Sequence, residues 1–338
     1  MVQGKDFDFS FSPTISYPGM RIVLAFCAVL NLTSAILDVE NCFQNDAIKP
    51  EQRLFVTAPP LYIQWFKETY PDIKLEQAPD GKYVLQTING MQGRKDAGRN
   101  WYLLLKEILE DFGFKYCPAE PALFVYYEGE ETMYVVTSTD DFLVCYSTPT
   151  LYSMLQVHMT KFVPVTTQEG QIMKYLNVRI VQSDMGISID QTHHIQTTIL
   201  DKWFPSHKTE QLKTADTPYR TDSEFEKQLN SQLPAKDADL QALETEFGGK
   251  YNTLIGQFLH IAQVTRFDIG FSCARFSQYN VAPNKAAFQG LKRMARYLAT
   301  HLHTPIFYPR QKLTMYQTIR FEYEPGKWDT HIILNLLQ

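Results

Sequence analysis

Residues 133–146 constrain this chain more than any other stretch: two apolar runs rich in β-branched residues flank the adjacent carboxylates Asp140 and Asp141. The pattern predicts a β-hairpin with both aspartates at or beside its turn. Successive side chains of a regular strand point to opposite faces, so adjacent acids can serve one site only where the backbone turns. Acidic residues favour turns for purely local reasons, and Asp-Asp alone carries little weight. A second acid changes that. Asp38 lies in an equally apolar setting, Ala35-Ile36-Leu37-Asp38-Val39-Glu40-Asn41-Cys42-Phe43.

An unpaired carboxylate inside a strand is costly, and a hard divalent cation is one of the few partners that repays the cost. Three aspartates delivered by two separate strands could hold two Mg²⁺ ions about 3.5–4 Å apart, the arrangement used for in-line phosphoryl transfer.

A chain of 338 residues, 44% hydrophobic and 20% charged, is long enough for two or three subdomains with a sizeable core. Its five scattered cysteines lack any C-x-x-C spacing, which predicts reduced, buried thiols in an intracellular, cytoplasmic protein. The apolar run 22–37 is broken by Asn31, Thr33 and Ser34, so neither a membrane span nor a signal peptide is expected. A net charge of −5 means that any nucleic-acid partner must be met by locally concentrated cations.

Pro18-Gly19 opens a predicted helix with Ile22, Val23, Phe26, Val29 and Leu30 at helical spacing, leading into the strand of Asp38. Residues 47–93, broken by Pro50, Pro59-Pro60, Pro71 and Asp80-Gly81, suggest an irregular, partly exposed subdomain. A glycine-spaced cationic loop follows, Gln92-Gly93-Arg94-Lys95-Asp96-Ala97-Gly98-Arg99, feeding a helix with Trp101, Leu104, Leu105, Ile108 and Phe112 on one face and Gly113 as C-cap. It is not a G-x-x-x-x-G-K-[ST] phosphate loop.

After the acidic hairpin, Leu151, Leu155, His158 and Phe162 mark a helix, with His158 a polar edge rather than a ligand. Residues 175–181 and 187–189 read as the strands of a second hairpin turning near 183–186, and His193-His194 begin a helix ending near Trp203. The polar, acidic stretch 205–246 reads as a linker or an exposed, loosely ordered connection. Beyond it, residues 250–310 carry eight lysines and arginines against the single acid Asp268. In the helix from Lys285, Phe288, Leu291, Ala295 and Leu298 face inward, while Lys285, Gln289, Lys292 and Arg296 line another face, suited to a phosphate backbone.

Taken in order, these pieces resemble the reverse transcriptase domain of copia-type LTR retrotransposons, a segment of their Pol polyprotein. Asp38-Val39-Glu40-Asn41-Cys42-Phe43-Gln44-Asn45 resembles the block D-V-x-x-A-F-L-N, and residues 92–102 resemble Y-G-L-K-Q-A-P-R-x-W-Y. Ser138-Thr139-Asp140-Asp141 stands where Y-V-D-D is usual, and Tyr175-Leu176-Asn177-Val178-Arg179-Ile180 resembles F-L-G-I-x-I. Residues 251–298 resemble the downstream Y-R-x-L-V-G, T-R-P-D-I and R-I-L-R-Y-L blocks. The likeness runs from about residue 11 to 301, with Ser138, Thr139 and Gly98 as departures from the family pattern.

The resemblance implies an α+β right-hand polymerase. Residues 1–204 would be palm and partial fingers, 205–246 the acidic linker, 247–304 a helical, basic thumb- or connection-like region, and 305–338 a truncated tail before a missing ribonuclease H domain. It further implies an RNA-directed DNA polymerase in which Asp38, Asp140 and Asp141 hold two Mg²⁺ ions. Phe43 would lie under the sugar of the incoming deoxynucleoside triphosphate, with Gln92 and Arg94 or Lys95 nearby. Lys285, Lys292, Arg293 and Arg296 would follow the backbone of RNA template and DNA primer. Only Lys5 and Arg21 precede Asp38, where the family carries basic finger strands. Two alternatives stay open: a catalytically dead, nucleic-acid-binding remnant, or another Mg²⁺-dependent nucleotidyltransferase on a similar palm.

Overall fold

A computed structural model describes residues 10–45, 54–204 and 214–310, and the backbone of 316–324 and 327–334. Lys5, residues 205–213 and Gln338 lie outside the described residues. The chain divides into two compact units, one formed by Thr33–Gln168 with residues up to Met20, the other by Arg21–Leu32 and Glu169–Gln338. Helix α1 (Tyr17–Val29) crosses the boundary between them.

The first unit is built on a six-stranded antiparallel sheet. Its strands are β1 (Thr33–Val39), β4 (Lys115–Cys117), β5 (Glu120–Glu128), β6 (Glu131–Ser138), β7 (Asp141–Tyr146) and β8 (Val165–Gln168), in the order β4-β5-β6-β7-β1-β8. Alternation along the strands decides what each face carries. Leu37 pairs with Phe142 and Ala35 with Val144, and these four join a core with Trp101, Leu105, Ile108, Leu151, Tyr152 and Leu155. Those six come from α3 (Ala97–Phe112) and α4 (Pro149–Thr160).

Gly113 ends α3 as expected, at φ 115°, its N–H donating to the carbonyls of Glu110 and Leu109. A side chain there would need the left-handed backbone that glycine adopts freely. The Nε2 of His158 lies 2.9 Å from the Ile108 carbonyl and 3.7 Å from the Asp111 carboxylate. The 47–93 region includes a small ladder of β2 (Phe55–Thr57) and β3 (Val84–Gln86) and the helix α2 (Pro60–Thr69), which buries none of its residues.

The second unit contains a four-stranded antiparallel sheet in the order β12-β11-β10-β9, formed by β9 (Ile172–Tyr175), β10 (Val178–Ser183), β11 (Gly186–Asp190) and β12 (Ile306–Pro309). The turn at Ser183–Gly186 lies where the sequence places it. The strand read across 175–181 does not run through, because Leu176 and Asn177 both take positive φ, 48° and 63°, and fold β9 back on β10. Two successive left-handed residues make the tight hairpin turn that matches strand twist.

The helical part comprises α5 (Thr192–Ile195), a π-helical turn Gln196–Leu200, α6 (Asp201–Trp203), α7 (Ser223–Ser231), α8 (Asp237–Glu246), α9 (Tyr251–Val264), α10 (Gly270–Ser277) and α11 (Lys285–Thr300). The described part of the acidic stretch, residues 214–246, contains α7 and α8. Within it, Asp222 caps α7 by accepting from the Phe225 N–H, and Phe225, Leu229 and Leu243 are buried with Phe258, Phe276 and Phe288. Its charges mask widely spaced apolar anchors, which is why composition misleads there. In α1 the buried face is also shifted from the expected one. Met20, Val23, Leu24, Cys27 and Ala28 are buried, whereas Ile22, Phe26 and Leu30 are exposed. Beyond β12, the backbone strands β13 (Tyr316–Glu324) and β14 (Lys327–Leu334) form a hairpin.

Helices α10 and α11 approach closely at Gly290, where an added Cβ would lie 2.2 Å from the Phe276 ring. Gly290→Ala is expected to destabilise the protein by about 1–3 kcal/mol through overpacking, despite alanine's better helix propensity. Urea denaturation of the two proteins measures this; an unchanged midpoint would show that the ring moves aside freely.

Candidate active site

Asp38 and Asp141 are direct cross-strand partners of β1 and β7, so their side chains leave the sheet on one face, opposite to Leu37 and Phe142. Ser138 pairs with Asp141 across β6 and β7, which leaves Thr139 and Asp140 as the two loop residues of the hairpin. Thr139 has φ 58°. A β-branched residue in the left-handed region is strained, and such strain persists only where neighbours hold it.

Here two hydrogen bonds hold the loop. The Trp101 indole Nε1–H donates to the Thr139 carbonyl at 2.6 Å. The Val39 N–H donates to the Asp140 carbonyl at 3.0 Å. The α3 core helix and the strand of Asp38 thus both grip the loop that carries Asp140.

The carboxylates feel one another. Burial raises the pKa of Asp141, and the charges of Asp140 and Asp38, together with hydrogen bonding to Asp38, raise it further. Burial also pushes the Cys42 thiol up, to about 11, with Asp140 and Asp38 adding to the effect against a hydrogen bond from the Phe43 backbone. Asp140 is exposed, whereas Asp38 and Asp141 are half-buried. None of the three makes an ion pair with the described residues.

Among the described residues no three His, Cys, Asp or Glu side chains are drawn together as a ready metal cage. Asp38 and Asp141 are close enough to hydrogen-bond, and the mutual repulsion of three carboxylates without a cationic partner among the described residues is what raises Asp141 beyond the effect of burial.

The remaining predicted residues divide. Phe43 lies in a 3₁₀ turn (Cys42–Gln44) after β1, packed partly against the core. Gln92 and Lys95 are exposed. Arg94 is not available to a nucleotide in this conformation. It is 7% exposed, and its Nε and Nη2 form a bidentate pair with Asp96 at 3.0 and 2.7 Å. Burial raises the Asp96 carboxyl, but the Arg94 guanidinium outweighs this and holds it below the ordinary range.

In the second unit, Lys285 is exposed, while Lys292, Arg293 and Arg296 are half-buried on α11. Trp101, Val39 and Thr139 are the positioning groups that the sequence left unassigned. The signal for Trp101 was a large polar-tipped aromatic at a core position, which needs an acceptor.

Because the indole serves as both core and clamp, Trp101→Phe separates the roles. Loss of the Thr139 contact is expected to cost about 1–2 kcal/mol of stability and to lower any metal-dependent turnover more than substrate affinity. A proportional rise in KM with unchanged kcat would argue against a positioning role.

An antiparallel sheet that presents carboxylates from an inner strand and the adjoining hairpin is chemically suited to divalent-cation phosphoryl chemistry. The family described as reverse transcriptase (RNA-dependent DNA polymerase) matches residues 1–212, and the chain belongs to it. It is a reverse transcriptase domain of the kind found in copia-type LTR retrotransposons.

The chain is 25% identical over 296 residues to the retrovirus-related Pol polyprotein from transposon RE1 of Arabidopsis thaliana, covering 88% of this chain and 18% of that protein. The RE2 polyprotein of the same plant is 25% identical over 298 residues, with the same coverage of 88% and 18%. The putative transposon Ty5-1 protein of Saccharomyces cerevisiae is 25% identical over 264 residues, 78% of this chain and 75% of that protein. The chain therefore spans about a fifth of the length of the two plant polyproteins (18%). No helix among the described residues is long and apolar enough to cross a membrane.

Proposed function

We propose that this chain is an RNA-directed DNA polymerase domain whose palm is the six-stranded sheet, with partial fingers in residues 54–99 and a thumb- or connection-like region in the helices from α9 to α11. The observation that carries the reading is the register of Asp38 against Asp141, one residue from Asp140 at the hairpin turn.

Asp38, Asp140 and Asp141 would hold two Mg²⁺ ions, which when bound supply activation of a primer 3′-hydroxyl and neutralise charge on the departing pyrophosphate. The residues of the chain do the rest. The Trp101 and Val39 hydrogen bonds fix the height of the Asp140 loop, so the carboxylate does not have to be ordered during reaction. Phe43 lies beneath the sugar of the deoxynucleotide and excludes a 2′-hydroxyl. Gln92 and Lys95 meet its triphosphate. The β10–β11 hairpin grips the primer, and the cations of α11 contact the phosphates of template and primer. Other segments of a Pol polyprotein are the expected partners, and five free thiols support an intracellular setting.

Primer extension on an RNA template with Mg²⁺ tests this reading. Deoxynucleotide incorporation supports it. Template binding without extension supports the remnant reading, which is favoured by one observation, the capture of Arg94 by Asp96. Ribonucleotides used as readily as deoxynucleotides would indicate a different nucleotidyltransferase.

A further inference from the structure

The second unit holds a cationic cavity of about 350 Å³, lined by Lys292, Arg293 and Arg296 of α11, by Arg220 ahead of α7, and by Glu246 and Phe247 at the end of α8. Its donors are unequally engaged. Arg220 is held by Asp222, with Nε and Nη2 at 2.7 and 2.9 Å from the carboxylate oxygens. Arg293 donates its Nε to the Thr217 carbonyl and its Nη2 to the Thr217 hydroxyl, both at 3.0 Å, leaving Nη1 uncommitted. The Lys292 ammonium lies 5.7 Å above the Phe247 ring and has no carboxylate partner among the described residues. The Nε of Arg296 is buried without a hydrogen-bond partner.

Four cations line the cavity with the carboxylate Glu246, and with Arg220 already paired to Asp222 the other three still outnumber Glu246, which within a chain of net charge −5 makes an anion the fitting ligand. The Lys292 ammonium and the free Nη1 of Arg293 line the same cavity, and several cationic donors in one lining suit the multiple oxygens of a phosphate better than the two of a carboxylate.

We propose that this cavity is a phosphate-binding pocket that takes one phosphate group, carried either by a nucleic-acid strand or by a free phosphorylated molecule. It deepens the nucleic-acid reading of α11 by replacing a stripe of surface charge with a discrete site, and it rests on that reading only for the strand source.

Calorimetric titration of the full chain with inorganic phosphate, at ionic strength held constant with chloride, measures the site. Arg296→Gln is expected to weaken phosphate about tenfold. Lys292→Gln, at a half-exposed position, weakens it severalfold and covers the case in which the Arg296 variant fails to fold. Glu246→Gln should tighten binding, an effect that no purely structural role produces. The exposed Lys227→Gln, which removes the same charge elsewhere, should leave it unchanged.

Anisotropy of a labelled RNA·DNA duplex then separates the sources. Displacement by phosphate, lost in Lys292→Gln, assigns the pocket to strand phosphates. Phosphate binding without displacement assigns it to a free phosphorylated ligand. Absence of any phosphate-specific heat, or affinities unmoved by both Lys292→Gln and Glu246→Gln, overturns the pocket. Neither result bears on Asp140, so failure of primer extension and failure of this site remain distinguishable.

Discussion

Asp140→Asn is expected to lower primer extension by about a thousandfold or more, since a metal-binding carboxylate acts where charge develops in the transition state. The exposed position of Asp140 and its like-charged neighbours set the companion result: the metal-free variant should melt no lower than the parent. Mg²⁺ should raise the melting temperature of the parent, by an amount equivalent to about 2.7 kcal/mol at a hundredfold excess over Kd, and should do so far less in Asp38→Asn or Asp140→Asn.

The pH dependence carries its own sign. Asp141 has a raised pKa in the folded protein, so the folded state binds its proton more tightly than the unfolded chain. Its contribution is fully present below the ordinary aspartate range and is lost as pH rises through the raised folded value. Asp141→Asn should therefore stabilise the metal-free protein at neutral pH and not at pH 3. Melting curves at the two pH values, with and without Mg²⁺, check each part. A thousandfold loss of activity accompanied by unfolding would remove the metal argument.

Arg94→Ala is expected to destabilise the protein by about 3–5 kcal/mol, the size associated with breaking a buried ion pair and leaving one charge uncompensated. The side chains of the pair are 2% and 9% exposed, so solvent screens it little. Adding Asp96→Asn should recover a large part of the loss, because no buried charge then lacks a partner. Acid should also weaken the parent more than the double variant. Asp96 has a lowered folded pKa, so its stabilisation exists above the ordinary aspartate range and disappears as pH falls through the lowered value. Urea titrations of the parent and the single and double variants give the cycle directly. If Arg94→Ala instead left stability intact and only raised the KM for deoxynucleotides, the loop would have to open in solution to present the guanidinium.

How far the chain could be read before folding depended on whether a feature was local. The β6–β7 hairpin, the Gly113 cap and the α3 core face follow from short-range alternation, helical period and glycine's access to positive φ, and each lies where its residues predict. The family blocks were legible for the same reason, being contiguous strings in a fixed order. The break at Leu176-Asn177 was missed because a leucine in the left-handed region carries no sequence signal of its own. The helices within residues 214–246 carry little sequence signal because their few buried anchors are diluted by surface charge; only their packing against Phe258, Phe276 and Phe288 reveals them.

Residue identity and spacing were enough to establish that two apolar strands carry acids and that a cationic, glycine-spaced loop precedes a core helix, because backbone stereochemistry and burial pattern act over a few residues. Which acids face one another, that Trp101 clamps the Thr139–Asp140 loop, and that Arg94 turns inward to Asp96 were decided only by the assembled sheet and its helices. Those facts depend on strand register and on neighbours distant along the chain, and a cation's chemistry changes from ligand contact to internal pairing when such a neighbour supplies its counter-charge.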